Sequence, residues 1–184
     1  FNGVRPHALK ADPKVLRAKS AKAFDHISGD AAPAYPPEMG LRKYNRHLLF
    51  LKPDVLIVAD DIALNTAGEM ELRFHPEQQT GKSAGNAVAF HGKKAELRLE
   101  VLTPENVSMT DETLELVSRE YKRTPIYTIR LVKSGRTWRN ATAFSWAKTG
   151  MAPTAVTLKA KGDQWTFRAG GKTATLDWKT GEAK

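Results

Sequence analysis

Residues 44–62 read YNRHLLFLKPDVLIVADDI and hold two apolar runs, 48–51 and 55–58, on either side of Lys-Pro-Asp. Proline fixes its own φ angle and has no amide hydrogen to donate, so it interrupts a strand and favours a turn. Each run has the length of a strand, and the second is rich in β-branched residues, which favour a pleated, buried surface. The stretch therefore predicts a β-hairpin whose two strands lie in the core.

Further strands are predicted along the chain. Apolar and polar residues alternate over 70–75, 95–102 and 156–178, with glycine turns at 162–163 and 170–171. Period two is typical of half-buried strands, and short glycine turns join such strands into an antiparallel meander. The tryptophans mostly follow this alternation, which favours core positions over a sugar-stacking platform: Trp138, Trp146, Trp165 and Trp178. The predicted fold class is all-β, an antiparallel β-sandwich of two sheets with at most minor helical turns.

Turn and loop residues separate these strands. Turns are predicted at 28–30, 65–68 and 134–136, and loops at 31–39, 80–86 and 103–112. Asn2-Gly3 and two prolines predict an extended N-terminal segment over 1–16. Neither a repeat nor a low-complexity linker divides the 184 residues, so we expect a single β-sandwich domain over 1–184.

The composition limits the function classes. The chain has no cysteine, which excludes disulfides, thiolate metal sites and cysteine nucleophiles. No apolar run approaches the about 20 residues that cross a bilayer, so we expect no membrane partner. The sequence begins with Phe1 rather than methionine and lacks the layout of a signal peptide, which indicates a piece of a longer polypeptide.

The formal charge of +9 comes from 29 basic and 20 acidic residues. Excess positive potential attracts polyanions, so acidic polysaccharide and nucleic acid are both candidate partners. Nucleic-acid modules concentrate basic residues on one element beside stacking aromatics, whereas these are scattered, so a nucleic-acid partner is the weaker hypothesis. A basic surface that only keeps the protein in solution explains the same charge.

Histidines are the first candidates for acid-base chemistry or metal binding. Five occur, at positions 7, 26, 47, 75 and 91, and none of their spacings places two ligands on one element. The sequence therefore predicts no metal site, although residues from distant strands could still meet in the fold.

One row of charged residues stands out. His75 follows Arg73 and Glu71 at intervals of two residues, which places all three on the polar face of an alternating strand. Such a row could hold an acidic sugar through charge-assisted hydrogen bonds. It could equally be a cross-strand charge ladder that faces solvent.

Arg46, in the first strand of the hairpin, poses the same choice. Its planar fork of donors suits a carboxylate or sulfate, but Asp60 or Asp61 could equally be its partner. Adjacent strand residues lie on opposite faces, so the two aspartates are not expected to form one calcium or acid-base site. The candidate substrate-binding residues are Arg46, His47, Arg73 and His75.

Three motifs, in their order and spacing, resemble one known family. GDAAPAY at 29–35 precedes RHLLFLKPDVLIVADDI at 46–62, and ELRFH follows at 71–75. Together they resemble the C-terminal β-domain of heparinase II/III-like polysaccharide lyases over the first half of the chain. The resemblance implies a supersandwich-like β-sandwich at the end of a longer lyase, and a periplasmic or secreted location.

The same resemblance implies where the chemistry lies. Members of this family cleave uronic-acid-containing polysaccharides by β-elimination. Their catalytic groups lie on an upstream α-helical toroid domain and at the start of the β-domain, where some members also hold zinc. Those histidine-containing motifs do not occur here, so the resemblance assigns no catalytic residue, no metal ligand and no cofactor to this chain.

Two functions follow as hypotheses. In the first, the chain is a catalytically silent part of a lyase that packs against the upstream toroid domain, supports the active-site cleft and contacts the acidic polysaccharide. That role requires an apolar surface left bare on the isolated chain. In the second, the chain is a non-catalytic carbohydrate-binding module with a salt-sensitive affinity for acidic glycans.

Overall fold

The computed structural model describes residues 12–76, 81–103, 107–117 and 123–184. In chain order, the strands are β1 (Lys14–Ser20), β2 (Phe24–Asp30), β3 (Leu41–Leu51), β4 (Val55–Phe74), β5 (Lys82–Ala84), β6 (Ala87–His91), β7 (Ala95–Val101), β8 (Ser108–Val117), β9 (Arg123–Lys148), β10 (Val156–Lys161), β11 (Gln164–Ala169), β12 (Lys172–Asp177) and β13 (Glu182–Ala183). Among the described residues the only helical elements are two 3-10 turns, Ala32–Ala34 and Pro37–Met39.

These described strands form two antiparallel sheets, one of nine strands and one of four. The larger sheet has the order β1-β2-β3-β4-β9-β7-β6-β5, with β8 also paired to β9, and the smaller has the order β10-β11-β12-β13. The predicted all-β antiparallel sandwich with minor helical turns is confirmed. In the part of the chain that the structure describes, no helix has the length and apolar character to span a membrane.

The predicted hairpin, β3 and β4, occupies the middle of the larger sheet. Leu51 pairs with Val55 beside the turn, and the ladder runs on to Tyr44 opposite Ile62. The Lys52-Pro53 peptide in the turn is cis. One face of the hairpin is buried because the four-stranded sheet packs on it.

β4 and β9 are much longer than the sequence predicts, because the chain does not reverse at 65–68 or at 134–136. The ladder between the two strands shifts register between Ala63 and Gly68 and resumes with Gly68 opposite Gly135. An irregularity of this kind bends paired strands together without ending them. The two turn predictions are wrong because glycine marks a bend there.

The bend gives the molecule two cores. The first core cluster lies between the hairpin and the four-stranded sheet and includes Ile57 and Phe167. The second lies where the distal parts of β4 and β9 pack over β6 and β7, and it includes Leu72 and Phe90. Three of the tryptophans expected in the core are buried: Trp138, Trp165 and Trp178.

The turn predicted at 28–30 is also wrong. These residues continue β2, with Gly29 opposite Arg46 and Asp30 opposite Asn45. The chain leaves the sheet only afterwards, where the Asp30 carboxylate accepts a hydrogen bond of 2.9 Å from the Ala32 amide.

The predicted loops need smaller corrections. Part of 80–86 forms β5 and part of 103–112 forms β8, because each segment pairs with a neighbouring strand. The loop at 31–39 contains both 3-10 turns. Of the predicted extended segment at 1–16, the end belongs to β1, whereas 1–11, with His7, lies outside the described residues.

Candidate functional site

The four candidate residues lie in three places. Arg46 and His47 are neighbours in β3 and lie on opposite faces of the larger sheet. Arg73 lies at the distal end of β4, and His75 directly follows that strand. The structure does not join them into one site, so their role in substrate binding stays a prediction.

His47 meets a second histidine beneath the four-stranded sheet. Its Nδ1 atom lies 3.1 Å from the Nε2 atom of His26, and the two rings stack with 3° between their planes. Trp178 packs edge-on against His47, with ring centroids 5.5 Å apart. Both histidines are buried, as is Ser28, whose hydroxyl has no hydrogen-bond partner among the described residues. We call His26 and His47 the histidine pair.

The surroundings of the histidine pair disfavour positive charge. Burial is the main cause that lowers the pKa of His47, to about 4, and the charges of His26, Lys43 and Arg17 lower it further. Burial also lowers the pKa of His26, followed by the charges of Arg17 and Lys19. The pair is therefore neutral at pH 7, with one ring donating and the other accepting in the shared hydrogen bond.

A cavity of about 440 Å³ lies beside the histidine pair, between β1 and β13. Its lining includes His26 and four charged residues: Arg17, Lys19, Glu182 and Lys184. Arg17 lies 3.4 Å from Glu182, and Lys19 Nζ donates to the Ala183 carbonyl oxygen at 2.9 Å. We call this space the basic cavity. Its walls connect the edge of the larger sheet to the last strand of the smaller one.

On the other face of β3, Arg46 forms a two-pronged ion pair with Asp60. Its Nε and Nη2 atoms donate to the two carboxylate oxygens at 2.7 and 3.1 Å. Complete burial raises the pKa of Asp60, and the charge and hydrogen bonds of Arg46 oppose that rise. Burial alone would lower the pKa of Arg46, but Asp60 raises it above its ordinary value. Because the donor fork matches a carboxylate, we assign an ion pair at neutral pH.

Asp61 lies on the opposite face from Asp60, as expected for neighbours in a strand. Lys43 binds its carboxylate, and Arg139 approaches it to 3.8 Å. Each aspartate thus has its own basic partners, and the two do not form a common site.

Arg73 and His75 lie on the outer face of the distal layer. Arg73 binds Glu71, and Arg130 of β9 donates to the same carboxylate at 2.9 and 3.1 Å. The hydrogen bond from Arg130 is the main cause that lowers the pKa of Glu71 to about 2. His75 shares a hydrogen bond of 3.1 Å with Thr128. Acid and base thus alternate across the strands, which is the charge ladder that the sequence allowed.

The face that carries Arg46 also bears exposed apolar side chains. Ile27 and Leu48 are cross-strand partners and are 49% and 38% exposed. Next to them, half-buried Phe50 pairs with Leu56 and stacks on Trp146 with ring centroids 5.9 Å apart. We call these five residues the apolar patch. Contiguous exposed apolar side chains on a sheet are typical of an interaction surface.

A second cavity, of about 760 Å³, lies at the two 3-10 turns. Tyr35 and three prolines line it, and its charged residues are one base, Arg42, and two acids, Asp30 and Glu38. The Tyr35 ring lies 6.0 Å from that of Tyr44, over which the Arg46 guanidinium packs at 5.5 Å. This cavity therefore borders the same sheet face as the apolar patch. We call it the proline cavity.

The described residues do not fit a zinc site. Within 12–76, 81–103, 107–117 and 123–184, no group of three or more His, Cys, Asp or Glu side chains is placed to hold a metal ion. The histidine pair offers only two of the ligands that a protein zinc site needs. That any zinc is bound by upstream residues stays a prediction.

Solved heparinase structures share this architecture. The heparan sulfate lyase HepC from Pedobacter heparinus matches with a TM-score of 0.72 and 14% identity, over 90% of this chain and 28% of that one. Two heparinase III structures match with TM-scores of 0.75 and 0.71 at 13% identity, over 90% and 89% of this chain and 27% of theirs. The chain has the fold of one part of heparinase III. The resemblance predicted from the three motifs is thus confirmed at the level of the fold.

The similarity to these heparinase structures is limited to part of their length and to the fold. The chain spans about 28% of the length of HepC, and the low identity makes the match one of fold. No family model matches the sequence, and no curated protein matches it.

The histidine pair and the basic cavity are the features of this heparinase-like fold that the sequence analysis missed. The sequence places His26 and His47 on either side of the predicted loop at 31–39. It does not show the register, which sets Ser28 opposite His47 and brings His26 onto the same face. The histidine spacing alone carried no signal, because the contact crosses between strands.

Proposed function

We propose that this chain is a non-catalytic β-sandwich part of a secreted or periplasmic polysaccharide lyase, acting on acidic polysaccharide in the intact protein. In this proposal the catalytic groups belong to another part of the same polypeptide, and this chain supports the active-site cleft. The observation that carries the proposal is the apolar patch, which remains partly exposed, whereas the four-stranded sheet packs on the other face of the central hairpin.

The size of the chain relative to its structural neighbours indicates what covers the apolar patch. HepC and heparinase III are more than three times as long as the matched region, so their remaining residues offer a surface of the same polypeptide. Ile27 and Leu48 are 49% and 38% exposed, so covering what remains would contribute about 0.5–1.5 kcal/mol for each side chain. We therefore propose an upstream domain, an α-helical toroid by family resemblance, as the partner of the apolar patch.

The proline cavity supports a contact with the polysaccharide. It borders the face that would meet the upstream domain, and it combines a tyrosine ring with the exposed guanidinium of Arg42. Asp30 and Glu38 also line it, so an acidic sugar would have to lie on the Arg42 side of the cavity. Aromatic rings stack on sugar faces, and guanidinium groups bind carboxylate or sulfate. The net charge of +9 favours the approach of an acidic chain.

The proposal is tested with the full-length polypeptide that contains this chain. Leu48→Lys places a charge in the apolar patch at a side chain that is 38% exposed, so the isolated chain should keep its melting temperature. Eliminative cleavage of heparan sulfate or alginate by the full-length protein, followed by absorbance of the unsaturated uronate, should fall roughly tenfold or more.

Met151→Lys is the matched control, because Met151 is 61% exposed and lies outside the apolar patch. It should change neither the cleavage nor the melting temperature. Full cleavage by the Leu48→Lys protein would contradict the proposed docking. Cleavage by the isolated chain would contradict the assignment of the catalytic groups to another part of the polypeptide.

The alternative is a carbohydrate-binding module, which the net charge of +9 favours. The isolated chain would then bind heparin, heparan sulfate or alginate without cleaving it, with an affinity that weakens as salt rises. Arg46, His47, Arg73 and His75 remain the predicted contacts. Their ion pairs and burial require that a glycan compete with partners already present.

A further inference from the structure

We propose that the basic cavity binds a small oxyanion such as sulfate, with Arg17 and Lys19 as its main charged partners. This inference does not depend on the proposed function, because the cavity lies between the two sheets and away from the apolar patch. The apolar patch occupies the opposite face of β2 and β3.

The charges of the basic cavity do not cancel. Three basic side chains and one acidic side chain line it. The ion pair of Arg17 with Glu182 is 3.4 Å long, and each of the two side chains is 46% exposed, so it is weak. Lys19 donates to a carbonyl oxygen, which carries no formal charge. A net positive potential is therefore left in the cavity, and an oxyanion would neutralise it.

The volume and lining of the basic cavity also suit a small oxyanion. Its volume of about 440 Å³ is at the lower end of the range of small-molecule sites, which begins at about 300 Å³. Residues 16–19 of β1 and 182–184 line it, and His26 lies in the lining although only 1% of its surface is exposed. An imidazole at the base of a basic cavity adds a donor that can take up a proton when an anion is near.

The histidine pair connects binding to pH. The charged groups around it are Arg17 and Lys19 on β1, Lys43 on β3, Glu182 on β13, and Lys184 directly after β13. Arg139 lies farther away, over the Trp178 ring. Burial is the main cause that lowers the pKa of His26, and the charges of Arg17 and Lys19 lower it further; a bound oxyanion would offset the effect of these two charges. Its binding would thus raise the pKa of His26, so sulfate should bind more tightly in mild acid.

The test is a titration of the folded chain with sodium sulfate at constant ionic strength, with sodium chloride as the balance and the histidine ring signals followed by NMR. We expect saturable shifts for His26 and His47, with tighter binding at about pH 6 than at about pH 8. Arg17→Gln and Lys19→Met should each weaken binding roughly tenfold. Arg168→Gln, which removes an exposed arginine of β11, should leave it unchanged.

A second titration distinguishes a free anion from a sulfated sugar. Glucosamine 6-sulfate that binds more tightly than inorganic sulfate would identify a sulfated glycan as the source, and equal affinity would identify the free anion. The proposal is overturned if sulfate shifts the ring signals no more than chloride does. It is also overturned if both cavity variants, folded by circular dichroism, respond like the unaltered chain. Neither readout involves cleavage, so the outcome is independent of the lyase proposal.

Discussion

Arg46 and His47 are neighbours in β3, but Arg46 is charged and His47 is neutral because they lie on opposite faces of the sheet. Arg46 keeps its charge because the Asp60 carboxylate receives both prongs of its guanidinium. His47 loses its charge because it is buried against His26 and Trp178 without an acidic partner among its described contacts. Strand alternation thus places a charged and an uncharged polar group one residue apart.

The Arg46–Asp60 pair predicts an asymmetry between two variants. Asp60 is completely buried, whereas 36% of the Arg46 side chain is exposed. Arg46→Met leaves a carboxylate with no route to water and should lower the free energy of unfolding by about 3–5 kcal/mol. Asp60→Asn leaves an arginine that can turn toward solvent and should cost about 1–3 kcal/mol. Urea unfolding at neutral pH measures both.

The pH dependence of the two variants is the control. An unpaired buried Asp60 can protonate in mild acid, so the deficit of Arg46→Met relative to the unaltered chain should shrink as the pH falls. The deficit of Asp60→Asn should not shrink in this way, because it removes the titrating group. Equal losses for the two variants at every pH would contradict the ion pair as described.

At the scale of the element, the bend in β4 and β9 builds the second core. The strands remain paired through the irregularity, and Gly68 lies opposite Gly135 where the ladder resumes. Beyond this point both strands place apolar side chains over β6 and β7. Without the bend, one flat sheet would leave those side chains in water.

Gly135→Ala tests the bend. Gly135 has a φ of 148°, a conformation that other residues adopt only with strain. The alanine variant should lose about 1–2 kcal/mol of unfolding free energy, measured by urea denaturation. Ser134→Ala, at the exposed neighbouring position, should cost no more than about 0.5 kcal/mol. An unchanged unfolding free energy in the Gly135→Ala variant would show that the bend does not depend on this conformation.

Alternation and turn residues sufficed to predict the central hairpin and the strands β7 and β10 to β12. They failed at 65–68 and 134–136 because glycine permits both a reversal and a bend, and only the partner strand decides between them. They failed at 28–30 because the ladder to β3 continues through Gly29.

The side-chain contacts were less predictable. Asp60 was one of two partners foreseen for Arg46, since strand pairing brings a limited set of acids within reach. The contact of His26 with His47 was not foreseen, because it depends on a register across the loop at 31–39. An apolar surface was expected from the family resemblance. Its five residues could not be predicted, because they depend on which face of the hairpin the four-stranded sheet covers.

At the scale of the whole molecule, the histidine pair makes the packing of the two sheets sensitive to acid. The unfolded chain takes up a proton on His47 below its ordinary pKa of 6.5, whereas the folded chain keeps this ring neutral down to about pH 4. The unfolded state therefore binds more protons in this window, and stability falls as the pH falls. The loss should reach roughly 3 kcal/mol between pH 6.5 and pH 4.

Urea unfolding across this pH range measures the loss. His47→Gln should flatten the dependence, because it removes the main titrating group. His91→Gln, at an exposed histidine of β6, should retain it. If the unfolding free energy of the His47→Gln protein changed with pH as steeply as that of the unaltered chain, a neutral, buried His47 would be contradicted.

The pairing of β4 with β9 also limits how early the larger sheet can form while the chain is being synthesised. Val55 pairs with Ser145, and β7 and β8 both pair with β9. On the ribosome the central hairpin emerges long before that partner, with apolar side chains and an open strand edge still in water. Long-range closure of this kind is slow and exposes nascent chains to misassembly. Until Ser145 has left the exit tunnel, the β4 edge of the hairpin cannot complete its native pairing with β9.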